Sequence, residues 1–219
     1  MDVLVPVKGT ARAKGRLSSV LDAPGRVLLV GWMLDRVLRA ATGAAVRRLF
    51  VVGGDAQTAS IARRHGAGLI ADRGAGLNEA LSDALRQVRR PGLQACIVLA
   101  ADLPWLATED VDALVDASHG GRTAVIAPAQ DGTGTNAVVA AECYTYDPAF
   151  GPRSRARHHR LLAERGASVS EVSRPGLAFD VDLPEHLAEL AAAPAVGEVE
   201  PLPSSILRQI SALPLRRRA

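Results

Sequence analysis

The chain has 219 residues, with 26 Lys and Arg against 23 Asp and Glu, a net charge of +3, and 48% of its residues are hydrophobic. That length suits one domain, or one domain with a tail, and can bury a substantial core; the nearly balanced charge excludes a disordered chain or one that coats nucleic acid. Aromatics at only 3% leave few stacking platforms for single-stranded nucleic acid, and with no apolar stretch near ~20 residues and no basic-then-apolar leader a cytoplasmic protein is expected, with neither nucleic acid nor membrane as partner.

The first apolar run, "DVLVPV" (2–7), reads as a strand. It breaks directly into "KGTARAKGRL" (8–17), which holds Lys8, Arg12, Lys14 and Arg16 with Gly9 and Gly15 between them. A turn needs glycine but not four cations. Glycine lets the backbone approach a phosphate closely, and cations oppose a polyanion, so Lys8, Gly9, Thr10 and Lys14 form a candidate phosphate loop. Its spacing is neither that of a Walker loop nor that of a dinucleotide loop, and a solvated surface turn is the alternative.

Pro24 can open a helix in its first turn, and Val30, Met33, Leu34, Val37, Leu38 and Ala41 then recur at the 3/4 spacing of a buried stripe. "RRLFVVGG" (47–54) and "AGLIAD" (67–72) are the next strands, with Asp55 placed as an N-cap between them. "GLNEALSDALRQVRRPG" follows as a helix whose stripe is Leu77, Ala80, Leu81, Ala84, Leu85 and Val88, stopped by Pro91-Gly92.

"ACIVLAAD" (95–102) is the strongest strand, ending on Asp102 before Pro104. A carboxylate at a strand end needs a cation, a hydroxyl or solvent beside it; it either serves a ligand or caps the following helix, for which Thr108 is also a candidate cap. Two lone cysteines, Cys96 within this run and Cys143, make no disulfide framework. "TAVIAPA" (123–129) and "NAVVAA" (136–141) complete the strands, the second preceded by "AQDGTGT", where Gly132 and Gly134 flank Thr133 and precede Thr135. In "AFGPRSRARHH", Gly151 and Ser154 mark a helix start with Arg155, Arg157 and His158 on its first turns. Such a terminus is either a pocket for a small phosphorylated acid or a solvated helix face. "LAFDVDLPEHL" supplies Asp180 and Asp182, which on an extended segment point to the same side. They either converge on one hard divalent cation, with Mg2+ the natural choice, or Asp182 caps the helix "PEHLAELAA".

Alternating strands and helices imply a three-layer, Rossmann-like α/β fold with a mostly parallel, mixed sheet, whose ligands bind beyond the carboxyl ends of the strands. A domain over residues 1–195 is expected, followed by a peripheral or disordered tail over 196–219. A phosphate loop, paired carboxylates and a second anion pocket together suit nucleotidyl transfer to an anionic acceptor. An acceptor phosphate is already ionised at neutral pH, so the absence of an evident general base fits.

In order, "VPVKGTARAKGRL", "GLNEAL", "ADLPWL", "DGTGTNAVV", "FGPRSRARH" and "FDVDLPEHL" resemble the guanylyltransferases of coenzyme F420 biosynthesis, from about residue 1 to 193. The resemblance implies a GT-A-like nucleotidyltransferase fold that joins GMP from GTP to phosphoenolpyruvate, 2-phospholactate or 3-phosphoglycerate and releases pyrophosphate. It further implies that Asp102, Asp180 and Asp182 hold Mg2+, that Lys8, Gly9, Thr10 and Lys14 meet the triphosphate, and that Gly76 and Asn78 meet the nucleoside. Thr135, Gly151 and Ser154, with Arg157 beside them, would receive the acid. Arg153 and Arg155 depart from the family's pattern and would favour a longer or more anionic acid. A homodimer is compatible with such a chain, and a labile product would benefit from hand-over to the next pathway enzyme. The other readings are a molybdopterin guanylyltransferase of the same fold, for which the compact cationic acceptor region is ill suited, and a non-catalytic nucleotide-binding module.

Overall fold

The computed structural model describes residues 1–9, 14–74, 76–89, 95–141, 147–193 and 201–211. Thr10, Arg12, Pro91-Gly92, Cys143 and the two ends of the expected tail lie outside them.

Strands β1 (Asp2–Val7), β2 (Arg48–Gly53), β3 (Gly68–Ile70), β4 (Ala95–Leu99), β5 (Thr123–Pro128), β6 (Thr135–Ala141) and β7 (Ser168–Glu171) form, among the described residues, one seven-stranded sheet in the order β3-β2-β1-β4-β6-β5-β7. Only β6 runs against its neighbours; every other pairing is parallel. The strand expected to reach Asp102 stops at Leu99; Ala100 still gives its N–H to Asn136 O of β6 at 2.8 Å, and a bend follows at Ala101. β7 has no apolar run to announce it: "SVSE" is a polar edge strand that needs only one partner.

The helices are α1 (Ala23–Gly43), α2 (Ala56–Arg64), α3 (Leu77–Val88), α4 (Thr108–Ala117), α5 (Ser154–Glu164), α6 (Pro175–Ala178), α7 (Pro184–Ala192) and α8 (Ser204–Ser211). Pro24 lies in the first turn of α1, which Asp22 caps by accepting the Gly25 N–H. Asp55 caps α2 in a reciprocal box with Thr58. Thr108, by contrast, is the first helical residue of α4. The cap position is Ala107, whose N–H goes to Asp110 Oδ2 instead.

Alternation along the strands divides the core in two, since successive side chains face opposite ways. Val3, Val5 and Val7 pack with Leu34, Val37 and Leu38 of α1 and Leu114 of α4 on one face; Leu4, Cys96 and Val98 pack with Leu81 and Leu85 of α3 and Leu162 of α5 on the other. Each fully buried Leu or Val here contributes about 1.5–3 kcal/mol by leaving water. A third cluster gathers beyond the sheet: Leu17, Leu29, Met33, Val181, Leu187, Ile206 and Ile210. Part of the expected tail, α8, is therefore helical and packed against α1 and α7. No helix among the described residues is long and apolar enough to cross a membrane.

Candidate active site

Parallel strands β1 and β4 lie side by side and end at the same rim; β6, running the other way, begins there. The loop after β1, the loop after β4 and the first residues of β6 consequently meet, though they are far apart along the chain.

Lys14 is the hub. Its Nζ lies 2.5 Å from Asp102 Oδ2 and 2.7 Å from Asp182 Oδ1, and its side chain is only 9% exposed. Burial works to lower the pKa of this ammonium, but the two carboxylates outweigh burial and the net shift is upward. Burial pushes Asp182 the other way, yet Lys14 holds its carboxyl below the ordinary range. Asp180 is the third acid of the group and shifts upward, first from burial and then from the negative charge of Asp102, with Asp182 adding to it. Asn136 on β6 opposes that shift by donating from Nδ2 to Asp180 Oδ1 at 3.2 Å, while the same amide reaches the carbonyls of Leu177 and Ala178 at 3.0 Å. Asp102, Asp180 and Asp182 thus share one cluster. Among the described residues no three His, Cys, Asp or Glu form a ready metal-ligand set, and a lysine ammonium stands between two of the acids.

The segment carrying Asp180 and Asp182 is tied down by its backbone. Val181 N–H reaches Asp102 O at 3.3 Å, Gln130 Nε2 donates to Asp180 O at 2.9 Å, and Phe179 stacks on Trp105 with ring centroids 3.7 Å apart. Asp182 does not cap α7; Leu183 occupies that position. Lys8 is exposed at the end of β1, and Gly9 lies beside Asp55.

A second group of polar residues gathers around the start of α5. Ser154 is the first helical residue rather than the cap, which is Arg153 in the left-handed region at φ 53°. Ser154 is buried, and Gly151 before it has φ +113°, where a side chain would be strained and would press on Arg157 Nη2. Arg157 donates through Nη2 to Phe150 O at 3.0 Å, and its Nε is buried with no hydrogen-bond partner among the described residues. Arg155 is engaged elsewhere: it grips Glu171 with two 2.7 Å bonds and also reaches Gly132 O at 3.1 Å. The expectation that Arg155 enriches the acceptor site in charge is thereby corrected, since a bidentate carboxylate already neutralises it. Asn78, in the first turn of α3 after Gly76 (φ +110°), engages Phe150 with both ends of its amide, at 3.1 and 2.8 Å. It clamps the 149–151 loop to the helix that opens at Gly76.

Two residues with central places were missed by sequence reasoning. Asn136 was legible only as a polar residue opening an apolar strand. His158 is legible only as one of the residues on the first turns of the helix, whereas its ring is fully buried between Thr135 and Ala149; its signal is the one-turn spacing from Ser154 on the inward face of α5.

Residues 1–193 match the family model described as "Guanylyl transferase CofC like". A phosphoenolpyruvate guanylyltransferase of Rubrobacter xylanophilus is 40% identical over 193 residues, covering 88% of this chain and 94% of that protein. A 3-phospho-D-glycerate guanylyltransferase of Phenylobacterium zucineum is 38% identical over 200 residues, covering 88% and 90%. Among solved structures, a putative nucleotide-diphospho-sugar transferase from Desulfovibrio desulfuricans superposes with a TM-score of 0.76 at 18% identity, covering 96% of this chain and 95% of that one, a likeness of fold alone. A fold shared with nucleotidyltransferases, a cationic rim facing clustered carboxylates and close relatives over most of its length together make this chain a member of the CofC-like guanylyltransferase family.

Proposed function

We propose that the protein transfers GMP from GTP to phosphoenolpyruvate, the guanylylation associated with coenzyme F420 biosynthesis, in the cytoplasm and with Mg2+. The observation that carries this reading is the convergence of Lys14 with Asp102 and Asp182, beside Asp180, on the rim where β6 also opens. Thr135 and Asn136 are consecutive there. Asn136 serves the carboxylate cluster, and Thr135 faces the pocket of α5 through His158.

The three acids offer only carboxylate oxygens, the donor type Mg2+ prefers. Asp180 is raised by burial and by its acidic neighbours, a penalty that a divalent cation would reverse, and the Lys14 ammonium already stands in as the positive charge. Asp102, Asp180 and Asp182 would hold the ion, which when bound would offset negative charge on the reacting phosphates.

The chain's own residues account for the rest. Lys8, the Gly9 N–H, Thr10 and Lys14, which follow β1 in the sequence, would meet the triphosphate. The Ser154 and Thr135 hydroxyls suit the acid's carboxylate and phosphate, and Arg157 brings a guanidinium whose buried Nε has no hydrogen-bond partner among the described residues. An oxygen of the acid's phosphate attacks the α-phosphorus in line, and the bond from that phosphorus to the α–β bridging oxygen breaks. Pyrophosphate leaves with the electron pair. No base need remove a proton, so the site's work is alignment and charge compensation.

Arg155 is committed to Glu171 and its charge is not free for the acceptor; the choice of phosphoenolpyruvate is supported by the relative of that activity at 40% identity. The test is incubation with GTP, Mg2+ and phosphoenolpyruvate, 2-phospholactate or 3-phosphoglycerate in turn, following pyrophosphate and product mass. Phosphoenolpyruvate should give the fastest pyrophosphate release and a product containing one GMP. Release with no acid-linked product, or none with any acid, would overturn the proposal.

A further inference from the structure

We propose that His158 is a positioning residue for the acceptor acid: its ring fixes the Thr135 hydroxyl as a hydrogen-bond donor. This rests on the acceptor pocket proposed above.

The ring lies fully buried between three segments. Its Nε2 is 3.1 Å from the backbone N of Ala149, its Nδ1 is 3.1 Å from Thr135 Oγ1, and Phe150 packs edge-on against it at 4.7 Å between ring centroids. A backbone N–H can only donate, so Nε2 must be the acceptor. A neutral imidazole then carries its proton on Nδ1, and that proton points at Thr135. Threonine has one hydroxyl proton of its own. With Oγ1 receiving from His158, the Thr135 proton is turned away from the ring and is left to meet an anionic oxygen.

Protonating the ring would set an N–H against the Ala149 N–H, and burial together with the charges of Arg157 and His159 holds the pKa down at about 4. His158 is thus neutral during turnover near neutral pH. It is also no general base: Nδ1 already bears a proton and Nε2 is occupied. The cation of this pocket is Arg157. One ring joins the start of β6, the 149–151 loop and the helix that opens at Ser154.

Two substitutions separate the two ring nitrogens. His158→Gln keeps an acceptor where Nε2 was and removes the donor to Thr135; His158→Asn keeps a donor near Nδ1 and removes the acceptor for Ala149. In steady-state assays with GTP and phosphoenolpyruvate, His158→Gln should raise the KM for the acid about tenfold, the size of one lost hydrogen bond to a charged group. The KM for GTP should stay within about twofold, and His158→Asn should be milder toward the acid. Thr135→Val should reproduce the effect, and the double variant should be no worse than either single one. Equal rises in both KM values, or losses that multiply in the double variant, would overturn the proposal.

A readout independent of turnover is the imidazole tautomer in 15N-labelled protein without ligands, expected as neutral Nδ1–H. An Nε2–H tautomer or an imidazolium at neutral pH, with normal turnover of phosphoenolpyruvate, would sink the role of His158 alone. The expected tautomer in a protein that guanylylates no phosphorylated acid would sink the acceptor pocket, and this role with it.

Discussion

Lys14 shows how a single residue can stabilise a site that its neighbours would make unstable. Three carboxylates gathered on one rim repel one another, and Asp180 registers that repulsion as an upward shift added to that of its burial. The lysine reaches them from a left-handed backbone conformation, φ 56°, which a non-glycine residue adopts at some cost. Two ion pairs at 2.5 and 2.7 Å hold it there. Asp102→Asn removes one of these charges and little volume, so the fold should persist, while guanylyl transfer falls by about 10²–10⁴ because charge compensation in the transition state is lost. Near-normal turnover of that variant would take Asp102 out of the machinery. His158 makes a different prediction, in pH. Its folded pKa, about 4, lies below the 6.5 of an unperturbed histidine. Above pH 6.5 the ring is neutral in both states and contributes nothing to pH dependence. Below it the unfolded chain binds a proton that the folded one refuses, so stability drops by about 1.4 kcal/mol per pH unit, to a total of about 3 kcal/mol by pH 4. Denaturant titrations across that window should show this slope in the parent protein and lack it in His158→Gln; identical slopes would show that the ring is not held neutral.

At the level of elements, α8 has the most to explain, since it lies beyond the 1–193 match to the family. Its Ile206 and Ile210 enter the cluster that holds Leu17, three residues after Lys14, and Val181, between Asp180 and Asp182. Gln209 also accepts the Asp22 N–H at 2.9 Å, at the cap of α1. The helix therefore braces both segments that carry the charged hub. Ile206→Ala should cost about 2–5 kcal/mol, as for a fully buried large aliphatic side chain, and should lower turnover below the temperature of unfolding because Lys14 and Asp182 lose their support. A lower melting temperature with unchanged turnover would reduce α8 to a stabilising appendage. The clamp of Asn78 on Phe150 works similarly on the other side, linking the start of α3 to the 149–151 loop.

For the whole molecule, one reversed strand decides the arrangement of the site. Parallel β1 and β4 deliver the Lys14 and Asp102 loops to the rim, and antiparallel β6 delivers its beginning, Thr135 and Asn136, to the same place. Ligands that bind across this rim contact loops from every part of the chain and should stabilise it globally. GTP with Mg2+ is expected to raise the melting temperature as its concentration passes its dissociation constant. Chelation of the metal should reverse most of that rise, and a rise indifferent to chelation would argue against the three acids as ligands.

Much of this was legible from residue order. The α1 stripe is buried where its spacing placed it, Asp55 caps its helix, and Cys96 lies in the core. Periodicity reports which face of an element avoids water, and that is a local property of the chain. The polar edge strand β7 and the cap at Ala107 were not legible, because each is decided by a partner outside its own run: β5 and the Asp110 carboxylate. The same holds for charge. Sequence alone determined that this is an α/β chain with cations after its first strand and acids after its fourth. Only the tertiary structure decided that Lys14 is shared by Asp102 and Asp182, that Arg155 is neutralised by Glu171 and that His158 is sealed in as a neutral ring. Hydrogen bonds and ion pairs act over a few ångströms of space, and distance along the chain does not measure that space.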